Sequence, residues 1–225
     1  MIYAFTQIDS LSMADLAGLW PLLSEQRKAL VDRFKFFRHR RQSAMAYILL
    51  RYALIHEVGI RNKVEFEFGP HGKPFLKDYP GIHFNLSHCP VGVICSISDS
   101  PVGVDIAQVT TENLECAETA MHINERREIV KSADDARTFA RFWSLKESYL
   151  KFLGRGIGND IASLDFSGSM EDRFVFDGCC MQVWNTPDSV ISYCGKRPQH
   201  MHYLTKGNLF DILLGETKHE YFAYA

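Results

Sequence analysis

The sequence has no C-x-x-C pair, and its six cysteines are dispersed along the chain. Closely paired cysteines mark zinc sites and redox motifs, so neither is expected here. No apolar run reaches ~18 residues, the length that spans a bilayer. The opening segment MIYAFTQIDS lacks the basic region and the long apolar stretch of a secretory signal. These absences predict a cytoplasmic protein with reduced thiols and no membrane segment.

Net charge is nearly absent as well, at −2 over 225 residues, so the chain has no overall attraction to nucleic acid or to a membrane surface. The exception is local: residues 33–41 read RFKFFRHRR. Such a run is usually a solvated helix face, although it could also hold a phosphate through bidentate arginine contacts. Nucleic-acid binding is disfavoured, because the overall charge is acidic and no RNA-binding signature is present.

The order of the predicted elements indicates an α+β fold with two lobes of similar size. Helices precede strands in the first half of the chain, and the same order recurs in the second half. No low-complexity linker separates the halves, so the lobes should pack against each other. We place the N-terminal lobe at residues 1–102 and the C-terminal lobe at residues 103–225.

The lobes are predicted to meet around HFNLSHCPVGVICSISDSPVGVDI, residues 83–106. Turn-forming residues divide this stretch into three short strands, at His83–Ser87, Val91–Ser98 and Val102–Ile106. Further on, the sequence predicts a helix capped by Asn124, a long helix that begins at Asp134, and late strands that include Leu209–Leu214 and Tyr221–Tyr224.

Polar residues in this central stretch are candidates for a site. Asp105 lies between Val104 and Ile106 on a predicted strand, where it is either a half-buried acid satisfied by a neighbour or a ligand for a hard cation such as Mg²⁺. Ser87 and His88 end another strand and offer a hydroxyl and an imidazole to a phosphate. A capped loop with a solvated histidine is the alternative.

A second candidate stretch, WSLKESYLK, begins at Trp143. Glu147 and Lys151 are four residues apart and share a helix face, which by itself is typical of a surface ion pair. Trp143 lies on the same face, so the acid and the lysine are expected to be partly buried. A partly buried carboxylate needs a counter-charge or a metal.

A third candidate is the tight loop Gly72–Lys73–Pro74, part of GPHGKP. Loops of this composition are common and often have no function beyond turning the chain. A lysine on a rigid loop would nevertheless suit a phosphate or an adenine edge.

Taken in order, GKP, FNLSH, GVDI, WSLKESYLK and GRGI resemble the motifs of the 4′-phosphopantetheinyl transferases. The resemblance is to the monomeric type that activates carrier proteins of peptide and polyketide synthases. It implies two pseudo-symmetric lobes, each a small antiparallel sheet packed with a long helix. Coenzyme A and Mg²⁺ would lie in the cleft between the lobes.

The resemblance also implies a role for each matching residue. The metal ligands would be Asp105 and Glu147. Lys146 and Lys151 would face the pyrophosphate, and Ser87 and His88 would touch the phosphates of coenzyme A. The adenosine pocket would be lined by Gly72, Lys73 and Pro74. For the 3′-phosphate, Arg41 is the first choice and Arg33 the second, with Arg27 as a further candidate.

One position departs from the family pattern. The family strand usually ends in G-[VI]-D-[IV]-E, but here it reads GVDIA, so Ala107 replaces a second acid. Mg²⁺ commonly retains waters and uses only one or two carboxylates, so we expect weaker metal binding rather than loss of activity. The alternative is a non-catalytic homologue that binds coenzyme A or another nucleotide. A magnesium-dependent phosphohydrolase is a third interpretation.

The implied reaction moves the phosphopantetheine arm of coenzyme A to a serine of an apo carrier protein and releases 3′,5′-ADP. Glu147, Lys151 and Asp105 would be the catalytic residues. An acidic carrier domain would dock near residues 112–130. Because two lobes in one chain can form the cleft without a partner, a monomer is expected.

Overall fold

The computed structural model describes residues 1–156, residue 158 and residues 161–210. Within these ranges the chain is an α+β protein with two four-stranded sheets, each packed against a long helix, and one two-stranded sheet. The predicted fold class is therefore confirmed. No helix within the described ranges is both long and apolar enough to cross a membrane.

The first sheet has the strand order β10-β1-β5-β4. Its strands are β1 (Ile2–Phe5), β4 (His83–Cys89), β5 (Gly92–Ser98) and β10 (Met201–Tyr203). Strand β10 runs parallel to β1, and the other pairs are antiparallel. The chain thus returns to its first sheet after building the second one.

The second sheet is fully antiparallel, in the order β6-β9-β8-β7. Its strands are β6 (Val102–Gln108), β7 (Arg173–Phe176), β8 (Cys179–Asn185) and β9 (Ser189–Gly195). A separate hairpin consists of β2 (Phe66–Phe68) and β3 (Pro74–Leu76). The predicted strands at residues 83–106 are confirmed, with β4 and β6 each extending two residues further.

Six α-helices have defined bounds in the described part of the chain. They are α1 (Met13–Leu19), α2 (Glu25–Asp32), α3 (Phe37–Val58), α4 (Ala117–Ala120), α5 (Ile123–Lys131) and α6 (Asp135–Leu153). The two long helices end in the same way, because Gly59 after α3 and Gly154 after α6 adopt the left-handed conformation that closes a helix. Helix α6 begins at the predicted cap, where Asp134 accepts a bond from the backbone of Arg137.

Two local predictions were wrong. The cap of α5 is His122, not Asn124, and Glu125 completes a capping box by accepting the backbone N–H of His122. The segment Leu209–Leu214 was predicted as a strand, but residues 206–210 are helical. The rest of that segment, like the predicted strand Tyr221–Tyr224, lies outside the described residues.

Three buried apolar clusters hold these layers together. One surrounds α3 in the first lobe, and a second surrounds α6 in the second lobe. The third lies between the sheets and includes Ile94 of β5, Val104 of β6 and Tyr193 of β9. Because burying each such side chain contributes roughly 1.5–3 kcal/mol, this shared core fixes the lobes against each other.

Candidate functional site

The candidate site lies where the two sheets meet along their edge strands, β4 and β6. Side chains of β4 bond to the backbone of β6: Asn85 accepts from the N–H of Val104 at 2.9 Å, and Ser87 accepts from the N–H of Ile106 at 3.4 Å. Buried backbone donors need partners, so these two side chains join the sheets without a continuous ladder. They also hold the polar part of β6 next to β4.

Asp105 is the centre of a compact polar cluster at this junction. Its Oδ1 accepts a 2.7 Å bond from the hydroxyl of Ser87 and a 2.6 Å bond from the ammonium of Lys151. The same ammonium lies 3.1 Å from the Ser87 hydroxyl oxygen. Three residues from three elements therefore converge on one point.

Helix α6 brings Glu147 and Lys151 to the cluster. The helix lies directly on β6 at Gly103, where an added Cβ would be 2.0 Å from the carbonyl oxygen of Ser148 and 2.4 Å from the nitrogen of Phe152. Only glycine permits this approach. The close contact places the last two turns of α6 beside the strand that carries Asp105.

Glu147 is the one member of the cluster whose bonding is incomplete. Its Oε2 lies 3.8 Å from the ammonium of Lys151, whereas its buried Oε1 has no hydrogen-bond partner. Burial raises the pKa of Glu147; the Lys151 ammonium opposes this shift and the nearby Asp105 adds to it. Buried carboxylate oxygens are normally satisfied, so Oε1 marks a position suited to a cation or a proton donor.

The cluster forms one end of an open cleft of about 590 Å³. Trp143 and Phe139, which precede Glu147 on α6, add an aromatic surface to the cleft, and their rings stack with centroids 6.1 Å apart. Ala107 also lines the cleft, beside Asp105 on β6. The cleft therefore offers both charge and aromatic surface.

His88 stands at the mouth of this cleft, one residue after Ser87. Partial desolvation by the surrounding protein lowers the pKa of His88, and the positive charges of Lys151 and Arg27 lower it further. The imidazole is therefore neutral near pH 7. Among the charged groups that act on His88, Lys151 and Arg27 are positive and Asp105 is negative, so the balance favours an anionic ligand there.

The side chains available as ligands at this site also bear on metal binding. In the part of the chain that the structure describes, no group of three or more His, Cys, Asp or Glu side chains could together hold a metal ion. Asp105 and Glu147 nevertheless approach the same ammonium from two elements. Two hard carboxylates, one with an unpartnered oxygen, suit Mg²⁺, which takes its remaining ligands from phosphates and water.

Comparison with known families covers most of the chain. Residues 101–194 match the family model described as "4'-phosphopantetheinyl transferase superfamily", and residues 11–98 match the model "4'-phosphopantetheinyl transferase, N-terminal". The chain belongs to the 4′-phosphopantetheinyl transferase superfamily. Curated 4′-phosphopantetheinyl transferases match the chain over nearly its full length, and the chain is a transferase of the same type.

Three curated relatives of this transferase illustrate the match. The 4'-phosphopantetheinyl transferase psf-1 of Bacillus pumilus is 26% identical over 91% of this chain and 94% of its own length. The transferase Sfp of Bacillus subtilis is 26% identical over 94% of this chain and 99% of its own. The transferase gsp of Aneurinibacillus migulanus is 33% identical over 60% of this chain and 57% of its own.

The arginines predicted for the 3′-phosphate lie in different surroundings. The guanidinium of Arg41, the first choice, contacts the carboxylate of Asp9 and the carbonyl of Leu11. Arg33 is exposed and lines a cavity of about 290 Å³, which Arg27 lines too. Arg27 is also the arginine whose charge acts on His88 in the transferase. Its position favours it over Arg41, which already has an anionic partner.

The loop Gly72–Lys73–Pro74 lies outside the polar cluster. Pro74 lines the cavity of Arg27 and also, together with Lys73, a second cavity of about 460 Å³. Gly72 adopts a left-handed backbone conformation, with φ at +79°, which fixes the turn before Lys73. The ammonium of Lys73 bonds to backbone carbonyls rather than pointing into the main cleft. That this loop lines an adenosine pocket stays a prediction.

Lys146 corrects one sequence prediction. It was expected to face the pyrophosphate, but its side chain is completely buried and its ammonium lies 2.7 Å from Glu125. The ammonium also donates to the carbonyls of Ala120 and Ile161. Neighbouring residues on a helix point about 100° apart, and here Glu147 lines the cleft whereas Lys146 does not.

Sequence reasoning missed Glu125 and Asn85 as residues important to the site region, and it placed Arg27 behind Arg41 and Arg33. Glu125 could have been noticed three residues after His122, at the spacing of a capping box. Asn85 precedes Ser87 by two residues on β4 and therefore shares its face. The position of Arg27 depends on the packing of α2, which carries no local signal of its own.

Proposed function

We propose that this transferase moves the 4′-phosphopantetheine arm from coenzyme A to a serine of an apo acyl or peptidyl carrier protein. The reaction would depend on Mg²⁺ and release 3′,5′-ADP. The observation that carries the proposal is the pairing of Asp105 with Glu147, whose buried Oε1 lacks a partner, beside the ammonium of Lys151. The family and its curated relatives supply the class of reaction.

Asp105 and Glu147 would hold the magnesium ion. When bound, the ion would neutralise charge on the pyrophosphate and polarise the reacting phosphorus. With only two protein carboxylates and alanine at position 107, phosphate oxygens and water would complete the ligand set. The residues present therefore fit the ion that the reaction needs.

The carrier serine would attack the β-phosphorus of coenzyme A. A new bond forms between the serine oxygen and that phosphorus, and the bond from the phosphorus to the bridging oxygen breaks, so 3′,5′-ADP leaves. Glu147 would take the serine proton, directly or through a water. Lys151 would offset the charge that develops on the leaving phosphate.

The remaining predicted contacts concern the binding of coenzyme A. Ser87 and His88 would bond to its phosphates at the mouth of the cleft, where Lys151 and Arg27 add positive charge. Arg27, on the wall of the cavity of about 290 Å³, would hold the 3′-phosphate, with the exposed Arg33 lining the same cavity. Gly72, Lys73 and Pro74 would flank the adenosine.

The carrier protein would dock on the segment around residues 112–130. Helix α5 there presents the exposed apolar side chains of Ile123 and Val130 together with the basic residues Arg127 and Lys131. An acidic helical carrier domain would complement both features. We further propose that the protein works as a monomer in the cytoplasm and uses neither nucleic acid nor a membrane.

Intact-protein mass spectrometry tests this function. An apo carrier protein incubated with the transferase, coenzyme A and Mg²⁺ should gain ~340 Da, the mass of one phosphopantetheine arm. EDTA should abolish the gain, and so should replacement of the acceptor serine by alanine. The absence of any gain with several carrier proteins, alongside measurable binding of coenzyme A, would refute the proposal and favour a binding role.

A further inference from the structure

Lys73 occupies an unusual position between the lobes. It stands at the end of the loop before β3, in the first lobe, yet its ammonium bonds to three backbone carbonyls at the start of β6 and the end of α6. The Nζ lies 3.0 Å from the oxygen of Val102, 2.5 Å from that of Lys151 and 3.3 Å from that of Phe152. One side chain thus connects the first lobe to two elements of the second.

These two elements are the ones that carry the site. Val102 is the first residue of β6, which holds Asp105, and Lys151 and Phe152 lie in the last turn of α6, which holds Glu147. The last carbonyls of a helix lack partners within the helix and carry partial negative charge. An ammonium is therefore well suited to fix the end of α6 to the start of β6.

The backbone of α6 is closest to β6 at the same place. Gly103 directly follows Val102, and a Cβ on it would overlap the carbonyl oxygen of Ser148 and the nitrogen of Phe152. Gly154, which ends the helix, is itself adjacent to Lys73, since its added Cβ would lie 3.5 Å from the Lys73 Cδ. The ammonium of Lys73 therefore holds α6 at the point where no side chain of Gly103 lies between the helix and β6.

We propose that Lys73 is a positioning residue for catalysis, which sets the separation of Glu147 and Asp105 by fixing α6 against β6. It acts through Lys151, whose carbonyl accepts a bond from Lys73 while its ammonium lies 2.6 Å from Asp105. This inference rests on the proposed function, because it concerns the geometry of that same site. It assigns the ammonium of Lys73 a role other than binding adenosine, while the rest of the side chain can still line the adenosine pocket.

The bonding of Lys73 supports a positioning role over a ligand contact. An ammonium has three protons, and all three have carbonyl acceptors here, so none is left for a phosphate or a base. Burial lowers the pKa of Lys73 to about 8, so the amine is mostly protonated at pH 7. Its positive charge therefore interacts with the carbonyls at the end of α6 rather than with substrate.

Kinetics of Lys73→Met provide the test, with Lys73→Arg and Lys77→Met as companions. We expect kcat for carrier modification to fall about 10- to 100-fold in Lys73→Met, as for small misplacements of catalytic groups, while KM for coenzyme A changes less than about 2-fold. Lys73→Arg should recover part of kcat, because a guanidinium can also donate to carbonyls. Lys77 is an exposed lysine of the same lobe, and Lys77→Met should behave as wild type.

Hydrogen exchange of the unliganded protein gives a second readout that does not depend on activity. In Lys73→Met, amides of the last turn of α6 and the start of β6 should exchange faster than in wild type, and those of α3 should be unchanged. An increased KM with normal kcat would mean that Lys73 binds coenzyme A, and unchanged kinetics and exchange would mean that it has no role. Loss of the proposed function would appear separately, as a wild-type protein that modifies no carrier.

Discussion

Lys146 and Glu125 form an ion pair at 2.7 Å in which neither side chain is exposed to solvent. Glu125 also accepts the backbone N–H groups of His122 and Phe166, and Lys146 donates to two carbonyls. The pair therefore ties α5 and α6 to the segment around Phe166. Lys146 lies one residue from Glu147, so the orientation of the glutamate proposed for catalysis depends on a buried lysine that is paired with Glu125.

Removing one partner of this pair should cost much more stability than removing both. Lys146→Met leaves Glu125 buried and uncompensated, and we expect the free energy of unfolding to fall by about 3–5 kcal/mol. Lys146→Met combined with Glu125→Gln should recover most of that loss. Urea unfolding measures both. The exposed Lys131 serves as a control, since Lys131→Met should change stability by less than about 0.5 kcal/mol. Equal stabilities of the single and double variants would contradict this account.

Glu147→Gln should separate stability from activity. Burial raises the pKa of Glu147, so the folded protein holds its proton more tightly than the unfolded chain and ionisation destabilises the fold. The variant should therefore be more stable than wild type at pH 7, by roughly 0.5–2 kcal/mol, and nearly inactive.

The pH dependence of the stability difference between Glu147→Gln and wild type tests whether the buried charge destabilises the fold. Below the ordinary glutamate pKa of about 4.3, both proteins carry a neutral side chain at position 147, and their stabilities should converge. As the pH rises through the raised pKa of Glu147, wild type alone acquires the buried charge and the difference should grow. Thermal unfolding between pH 4 and 8 would reveal it. A difference that shrinks with rising pH would show that the charge is stabilising.

Ala107→Glu should strengthen magnesium binding. Position 107 lines the cleft next to Asp105, so a carboxylate there can add a third hard ligand and negative charge. We expect the dissociation constant for Mg²⁺, measured calorimetrically with coenzyme A present, to fall about tenfold. Ala107→Gln is the matched control of similar size without charge and should change it little. An unchanged magnesium affinity in Ala107→Glu would mean that position 107 does not face the ion.

Arg27 and Arg41 can be distinguished with two ligands. If Arg27 holds the 3′-phosphate, Arg27→Met should raise the dissociation constant of coenzyme A about tenfold or more, since a hydrogen bond to a charged group contributes roughly 1.5–3 kcal/mol. Binding of 3′-dephospho-coenzyme A should be nearly unaffected. Arg41→Met should alter neither ligand strongly, because Arg41 already contacts Asp9. If Arg41→Met instead weakened the binding of coenzyme A but not of 3′-dephospho-coenzyme A, Arg41 would be the residue that holds the 3′-phosphate, as first predicted from the sequence.

The sequence predicts best what local spacing determines. Glu147 and Lys151 share a helix face because they are four residues apart, and Gly59 and Gly154 end their helices as glycines at that position do. Asp105 interrupts an apolar strand, so its importance is visible before the fold is known. For these residues the local pattern and the tertiary structure agree.

The sequence could not predict the features that depend on contacts between elements far apart in the chain. The side chain of Lys146 is paired with Glu125, twenty-one positions earlier, and nothing at either position specifies that contact. Arg41 and Arg27 both stand in basic surroundings, and only the packing of α2 and α3 decides which of them acts on His88. The bonds of Lys73 likewise join segments far apart in the chain.

The return of β10 to the first sheet has a consequence for how the protein is made. Strand β10 pairs with β1 near the other end of the chain, and the N–H of Leu204 donates to the carbonyl of Ala4 at 2.8 Å. The edge of β1 therefore stays unpaired until residue 203 has left the ribosome, although β1 is synthesised well before β10. The lobe that is translated first is thus completed last, after the second lobe has been translated.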